Sequence, residues 1–148
     1  MKFFKKKKII AVSGGFDPVH IGHVRMFQEA AQLADKLVVI INDDDWLMRK
    51  KGFVFMNEKE RGEIIKEFEC VDKVYVYHSP SGSNSVAGAL RQIKPDIFAN
   101  GGDKKTEEDI PESEVCNELG IKMIFNVGGR KVQSSSELVN EAKICKLK

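Results

Sequence analysis

Two histidines, three residues apart, stand just after a pair of glycines in residues 13–23, and this is the segment best suited to chemistry. If His20 and His23 both lie on the first turn of a helix, they share one face, with Cβ atoms about 5–6 Å apart. Two imidazoles so placed can donate hydrogen bonds to oxygens that gain charge in a displacement at phosphorus. The alternatives for this spacing are a metal-binding pair and simple surface polarity.

The glycines around these histidines favour an anion as the ligand. Gly14 and Gly15 allow a tight turn and bring backbone N–H groups close to a ligand. A helix that begins near Ile21 points its positive end at the same place. Gly22 has no side chain and lets a base or phosphate approach the helix backbone. The segment therefore predicts a phosphate-binding turn that leads into a helix.

The elements that must position this turn alternate between strand and helix along the chain. Strands are predicted at residues 9–12, 37–42, 74–77, 97–100 and 123–127. Helices are predicted from apolar spacings at residues 24–34, 64–68, 86–93 and 115–119, with a last helix at 137–145. Continuous apolar runs are typical of parallel strands that are covered on both faces. We expect an α/β fold with a single Rossmann-like, doubly wound parallel sheet of about five strands and helices on both faces.

Ligands of such sheets bind beyond the carboxyl ends of the strands, where the strand order reverses. Two connections are longer than the fold requires, residues 43–57 and 78–84, and we expect both to be functional or mobile loops. Three aspartates, residues 43–45, open the first of them. They suit either Mg²⁺ ligation or helix capping and solubility.

Composition restricts the class of protein. The chain has 148 residues, of which 42% are hydrophobic and 31% charged, which predicts one folded domain over residues 1–148 and excludes collagen-like and wholly disordered chains. Five of the 24 basic residues lie in a lead-in at residues 1–8, and the remaining 19 face 22 acidic residues. A uniformly basic nucleic-acid binder is therefore disfavoured.

The sequence also bears on location. Its longest purely apolar run, residues 37–41, is far below the ~20 residues of a membrane-spanning helix. Residues 9–12 are too short for a signal-peptide core. Cys70, Cys116 and Cys145 form neither a C-x-x-C zinc pattern nor an even disulfide set, which suits a reducing compartment. We expect a cytoplasmic protein without a membrane partner.

Gly15-Phe16-Asp17-Pro18-x-His20-x-Gly22-His23 resembles the signature of the H-x-G-H nucleotidyltransferase superfamily, in its cytidylyltransferase-like branch. This branch includes glycerol-3-phosphate cytidylyltransferase and the adenylyltransferase half of bacterial heptose-phosphate enzymes. Further matches follow in order: Lys50 and Lys51, Glu60-Arg61, Lys94-Pro95-Asp96, Asn100-Gly101-Gly102-Asp103, and Gln133-Ser134-Ser135-Ser136. The resemblance thus extends from the first strand to the last helix.

The resemblance implies in-line attack of a substrate phosphate on the α-phosphorus of a nucleoside triphosphate, usually with Mg²⁺ and without a covalent enzyme intermediate. It implies that His20 and His23 stabilise the charged transition state, that Lys50 or Lys51 reaches the phosphates, and that Arg61 supports the site. The residues expected to bind the nucleotide are Gly14, Gly15, Phe16, Asp17, Gly22, Asn100, Gly101, Gly102, Asp103, Arg130, Gln133, Ser134, Ser135 and Ser136.

Several alternatives stay open at this level. The basic run at residues 49–51 is also typical of a solvated surface, and either Arg130 or Lys131 can be the second phosphate cation. Serines 134–136 suit both phosphate binding and helix capping. His78 is either part of an acceptor pocket or structural. By resemblance, the chain is a possible homodimer.

CTP with a small phosphorylated alcohol is the favoured substrate pair, which gives a CDP-alcohol and pyrophosphate. The alternative is ATP with a sugar phosphate, FMN or a similar acceptor, because base selection depends on backbone contacts in the loops. A nucleotide-binding regulatory module that uses the lysine lead-in is the non-enzyme alternative, and nucleic acid is an unexpected partner for the rest of the chain.

Overall fold

A computed structural model describes residues 3–102, 106 and 110–146 of the chain. Within them, five strands form one parallel sheet in the order β3-β2-β1-β4-β5. The order confirms the predicted doubly wound α/β sheet. Its strands are β1 (Ile9–Gly14), β2 (Lys36–Asn42), β3 (Lys73–Tyr77), β4 (Ile97–Ala99) and β5 (Lys122–Ile124).

The described residues also contain six helices, which cover both faces of the sheet. They are α1 (Ile21–Gln32), α2 (Asp44–Lys51), α3 (Glu58–Lys66), α4 (Ala87–Ile93), α5 (Ser113–Leu119) and α6 (Ser135–Lys146). No helix in this part of the chain is long and apolar enough to cross a membrane.

Alternate residues of the strands supply two separate hydrophobic cores. Val39 and Ile41 of β2 pack on the face covered by α1, where Phe27 is fully buried. Ile40 of the same strand packs on the opposite face, against Leu90 of α4 and the buried side of α5. This burial on both sides explains why β2 is a continuous apolar run.

The prediction of a loop over residues 43–57 was wrong for its first half, because α2 occupies that part of the chain. Asp43 caps this helix by accepting a hydrogen bond from the Trp46 N–H at 2.9 Å. Acidic residues fill its first turn, basic residues fill its last turn, and Gly52 ends it in the left-handed conformation at φ 78°. Both charge groups match the helix dipole, so start and stop signals were present in the sequence.

Strand β5 is also shorter than the predicted 123–127. Asn126 adopts a positive φ of 57°, which turns the chain away from the sheet before Gly128 and Gly129. Backbone hydrogen bonds from Asn100 N to Ile124 O and from Val127 N to Asn100 O hold this turn beside the end of β4. The loops after β4 and β5 therefore lie side by side at the carboxyl edge of the sheet.

Candidate active site

A cleft with a volume of about 280 Å³ opens at the carboxyl edge of the sheet, between the loops that follow β1 and β5. The strand order reverses between β1 and β4, so the cleft occupies the position where such sheets bind ligands. Its lining residues are Ser13, Gly14, Phe16, His20, Gly22, His23, Met26, Lys51, Gly101, Gly102, Val127, Gly128, Gly129, Arg130, Lys131, Val132, Gln133, Ser134 and Ser135.

The two histidines form the N-terminal cap of α1. Nδ1 of His20 accepts a hydrogen bond from the Gly22 N–H, and Nδ1 of His23 accepts one from the His20 N–H, both at 3.1 Å. Their rings stack with centroids 3.7 Å apart. Because both Nδ1 atoms are acceptors, the proton of each neutral ring lies on Nε2. The two cap hydrogen bonds therefore leave one Nε2–H donor on each ring for a ligand.

Both imidazoles are held in the neutral form. Burial, together with the neighbouring His20 and Lys51, lowers the pKa of His23 to about 3. Burial, Lys51 and Lys131 also lower the pKa of His20. At neutral pH both rings are therefore neutral hydrogen-bond donors rather than imidazolium ions. Such donors stabilise charge that develops on a bound phosphate without themselves transferring a proton.

The ring of Phe16 packs against the ring of His23. Its buried ring meets the His23 ring edge to face, with centroids 4.9 Å apart, and also packs on Phe27. A side chain at Gly14 would place its Cβ 2.9 Å from Cζ of Phe16, and a Cβ at Gly22 would lie 2.9 Å from Cε1 of His20. Both glycines are thus needed for close packing around the histidine pair.

The structure separates the two lysines that the sequence left equivalent. Lys51 lines the cleft with the histidines, whereas Lys50 lines a second, adjoining pocket. Partial desolvation of its ammonium group lowers the pKa of Lys51, the negative charge of Asp17 opposes that shift, and Lys131 adds to it. Arg130 and Lys131 both line the cleft from its other side. Cations from the end of α2 and from the loop after β5 therefore line the same cleft.

The serine run caps α6 and closes one end of the cleft. Ser134 Oγ accepts from the Glu137 N–H at 3.4 Å, while the buried Ser135 donates its hydroxyl to the Pro18 carbonyl at 2.7 Å. The Ser135 hydroxyl proton is already used in this hydrogen bond. The group that Ser135 can offer to a phosphate is therefore its backbone N–H at the start of the helix. Ser136 does not line the cleft.

Glycines allow the loop after β5 to pack closely against both the loop after β4 and α1. A Cβ at Gly102 would lie only 2.4 Å from the carbonyl oxygen of Gly129, and a Cβ at Gly128 would lie 2.9 Å from Cα of Met26. Gly101 and Gly102 line the cleft, and Asn100 lines the adjoining pocket. Asp103, predicted to bind the nucleotide, lies outside the described residues.

Asp17 and Arg61 hold the site from behind rather than lining it. The carboxylate of Asp17, 1% exposed, accepts hydrogen bonds of 2.6 Å from the backbone N–H groups of Phe55 and Met56. The equally buried Arg61 donates to the carbonyls of Gly15, Asn42 and Met56 and pairs with Asp44 at 2.7 Å. Arg61 thus fixes the glycine turn relative to β2, α2 and α3.

The adjoining pocket has a volume of about 490 Å³ and shares Ser13, Gly14 and Gly101 with the cleft. Sequence reasoning assigned no site role to most of its polar lining. Asn42 ends β2, so its strand-end position was an available signal, whereas Asn84 lies within the Ser/Gly-rich loop and had no comparable signal. The remaining lining residues are Trp46, Lys50, Val86, Ala99, Asn100, Ile110, Pro111 and Glu112. His78 lines neither space.

The family resemblance implies Mg²⁺, and the donors of the cleft test that implication. Among the described residues, no carboxylate lines the cleft, and Glu112 is the one carboxylate that lines the adjoining pocket. The cleft residues therefore do not form a magnesium-binding set of their own. They suit the polyphosphate instead, through Lys51, Arg130, Lys131 and the two Nε2–H groups.

Comparison with known proteins identifies the family of the chain. Residues 11–141 match the family described as cytidylyltransferase-like. The bifunctional protein HldE of Helicobacter hepaticus is 31% identical over 148 residues, covering 99% of this chain and 29% of its own length. An FAD synthase of Thermococcus sibiricus is 35% identical over 113 residues, covering 75% of this chain and 74% of its own. The chain spans less than a third of the length of each of these HldE relatives.

A solved structure shares the fold along most of the chain. The lipopolysaccharide core biosynthesis protein of Thermoplasma volcanium superposes with a TM-score of 0.68 at 28% identity, covering 86% of this chain and 99% of the other. Both the sequence match and the site geometry begin at β1 and extend into α6. The chain belongs to the cytidylyltransferase-like family of nucleotidyltransferases.

Proposed function

We propose that the protein transfers AMP from ATP to the phosphate of a small acceptor and releases pyrophosphate. An acceptor phosphate oxygen attacks the α-phosphorus, the new P–O bond forms, and the bond from the α-phosphorus to the bridging oxygen of pyrophosphate breaks. The observation that carries the proposal is the stacked pair His20 and His23, which presents two neutral Nε2–H donors to a cleft lined by three cations.

Each wall of the cleft has a role in that reaction. The N-terminus of α6 and the cations Arg130 and Lys131 bind the β- and γ-phosphates, which become the leaving group. His20, His23 and Lys51 surround the α-phosphate and stabilise the negative charge on its oxygens in the transition state. Mg²⁺ would have to arrive with the triphosphate, since no carboxylate of the described residues lines the cleft, and it would neutralise further charge there.

The base of the nucleotide is proposed to be adenine. The relatives include an FAD synthase, and FAD consists of FMN joined to AMP. The sequence resemblance to the adenylyltransferase half of heptose-phosphate enzymes favours the same nucleotide. CTP, favoured from the sequence motif and from the family description, is the second candidate. The loops after β4 and β5 supply backbone groups that would select between the two.

The adjoining pocket is proposed to hold the acceptor, with a sugar phosphate as the first candidate. Its lining combines three asparagines and Glu112, which suit a chain of hydroxyl groups, with Lys50, which suits a phosphate. FMN is the second candidate, because Trp46 offers an aromatic surface and an FAD synthase is among the relatives. A phosphorylated alcohol with CTP remains the third combination.

The domain organisation, the cellular location and the oligomeric state of the protein are also part of the proposal. We propose one catalytic domain over residues 1–148, a cytoplasmic location where nucleoside triphosphates are abundant, and a homodimer. Size-exclusion chromatography with light scattering tests the homodimer directly.

A pyrophosphate-release screen tests the substrates. Purified protein with Mg²⁺ is given each of four nucleoside triphosphates with a panel of sugar phosphates, FMN and phosphorylated alcohols. Acceptor-dependent release with ATP and a sugar phosphate is expected, and mass spectrometry identifies the product. Release with CTP alone overturns the choice of base, and release with FMN alone overturns the acceptor. The absence of release in every combination, in protein that binds ATP, rejects catalysis in favour of a regulatory module.

A further inference from the structure

Beyond the nucleotide cleft, three ligand-bearing side chains meet at the carboxyl ends of β2 and β3. Asp43 follows β2, His78 follows β3, and Glu58 is the first residue of α3. His78 Nδ1 lies 3.2 Å from Asp43 Oδ2, and His78 Nε2 lies 3.3 Å from Glu58 Oε1. None of the three lines the cleft or the adjoining pocket.

Both carboxylates are held in place by the first turn of α2. Asp43 Oδ1 accepts from the Trp46 N–H, and Glu58 Oε2 accepts from the Asp44 N–H, each at 2.9 Å. One oxygen of each carboxylate is therefore fixed by the backbone, and the other is directed at the imidazole. Asp43 is only 6% exposed, so its second oxygen faces His78 from a largely desolvated position.

The donor set has the size and charge of a site for a divalent cation. One atom each from Asp43, Glu58 and His78 can be chosen so that all three lie within 4.8 Å of one another. Two carboxylates and a neutral imidazole carry a charge of −2, which balances a divalent ion. The nearby guanidinium of Arg61 is already paired with Asp44, so it does not neutralise the two carboxylates directly.

We propose that Asp43, Glu58 and His78 bind a divalent transition-metal ion, with Zn²⁺ as the first candidate. An imidazole nitrogen with two carboxylate oxygens suits Zn²⁺, Co²⁺ or Mn²⁺ better than Mg²⁺, which favours an all-oxygen shell. The two nitrogens of His78 face different carboxylates, so metal binding requires this ring, which is 63% exposed, to turn one nitrogen towards both oxygens. Its exposure leaves the remaining coordination positions to water.

The bound ion would cross-link three separate elements of the fold. Asp43 belongs to the β2–α2 junction, Glu58 to α3 and His78 to the end of β3. An ion that binds the folded protein stabilises it according to its affinity and free concentration. Zn²⁺ is therefore expected to raise the Tm of the protein, whether or not a nucleotide is present.

Calorimetric titration with Zn²⁺ of full-length protein stripped with a chelator tests the site. One ion per chain is expected, with Kd raised about tenfold or more in Asp43→Asn, Glu58→Gln and His78→Gln. Asparagine keeps the cap on α2, and glutamine keeps an oxygen for the Asp44 N–H, so these variants are designed to fold. Glu60→Gln, on the same turn of α3 but outside the cluster, is the matched control.

A second variant excludes binding in the nucleotide cleft. His20→Asn removes one cleft imidazole while asparagine keeps the cap on α1, and it is expected to bind Zn²⁺ like the unaltered protein. Co²⁺ provides an independent readout, through a visible absorption band that His78→Gln abolishes. Equal Zn²⁺ affinity in His78→Gln and the unaltered protein overturns the proposal. Loss of binding in His20→Asn but not in His78→Gln also overturns it.

Discussion

Nδ1 of His23 accepts a hydrogen bond from the backbone N–H of His20, and the two rings stack at a centroid distance of 3.7 Å. This contact gives the histidine pair two functions at once, since the Nδ1 atoms cap α1 while the Nε2–H groups remain for a ligand. The structural and the catalytic explanations of the H-x-G-H spacing are thus compatible, because they use different nitrogens.

Substitution of His23 is expected to affect catalysis more than binding. His23→Ala removes a donor that acts on transition-state charge, so turnover should fall by about 10²–10³-fold while ATP affinity changes little. Pyrophosphate release gives the turnover and calorimetry gives the affinity. Unaltered turnover would reject the role of His23, and a loss of ATP affinity equal to the loss of turnover would make it a ground-state binding residue.

The two neighbouring lysines are expected to have different kinetic effects. Lys51→Ala removes a cation from the cleft and should lower kcat/KM for the nucleotide by about 10–100-fold. Lys50→Ala should instead raise the KM of the acceptor, because Lys50 lines the adjoining pocket. Arg49→Ala on the same turn of α2 is the control and should remain close to the unaltered protein. Identical effects of the two lysine variants would contradict the separation of the pockets.

The lowered pKa of His23 predicts how stability depends on pH. The unfolded chain takes up a proton near pH 6.5, whereas folded His23 resists protonation down to about pH 3. Protons therefore favour the unfolded state, and the free energy of unfolding falls as the pH is lowered through that window. His23→Gln removes this contribution. The free energy of unfolding of the variant should therefore decline less steeply between pH 7 and pH 4 than that of the unaltered protein. Urea denaturation at several pH values provides the measurement, and parallel declines would refute the burial of a neutral His23.

Arg61 is expected to be a stability determinant through its buried contacts. Arg61→Ala leaves Asp44 and three backbone carbonyls without their guanidinium donor and should lower the free energy of unfolding by about 3–5 kcal/mol. Arg91, which forms an exposed pair with Glu118, offers a matched comparison. Arg91→Ala should leave the Tm nearly unchanged. Similar losses of stability in Arg61→Ala and Arg91→Ala would show that the burial of Arg61 does not increase its contribution to stability.

Two glycines test the close packing of the site. Gly102→Ala places a methyl group 2.4 Å from the Gly129 carbonyl and should impair nucleotide binding by separating the two loops. Gly62→Ala, inside α3, meets its nearest neighbour, Val76, at an ordinary 3.7 Å and should stabilise the protein by about 0.5–1 kcal/mol. Normal nucleotide affinity in Gly102→Ala would show that the loops accommodate the added methyl group.

Local patterns were sufficient for the fold, and long-range packing was needed for the details of the site. The apolar run of β2 predicted a strand that is buried on both faces, and the glycine turn before His20 predicted the position of the cleft. Lys50 and Lys51 are about 100° apart around α2, and only the packing of that helix decides which one faces the histidines. Likewise, no local signal indicated that the Ser135 hydroxyl is used by Pro18, which lies far away in the sequence.

The hydrogen bond from Ser135 to Pro18 joins two walls of the cleft that are synthesised far apart in time. One wall of the cleft is made by the turn after β1, and the opposite wall is made by the loop after β5 and the start of α6. More than a hundred residues after the histidine turn must therefore be synthesised before that turn can contact the loop after β5 and the start of α6. Until then, a nascent chain carries the histidine pair but no enclosed cleft for a triphosphate.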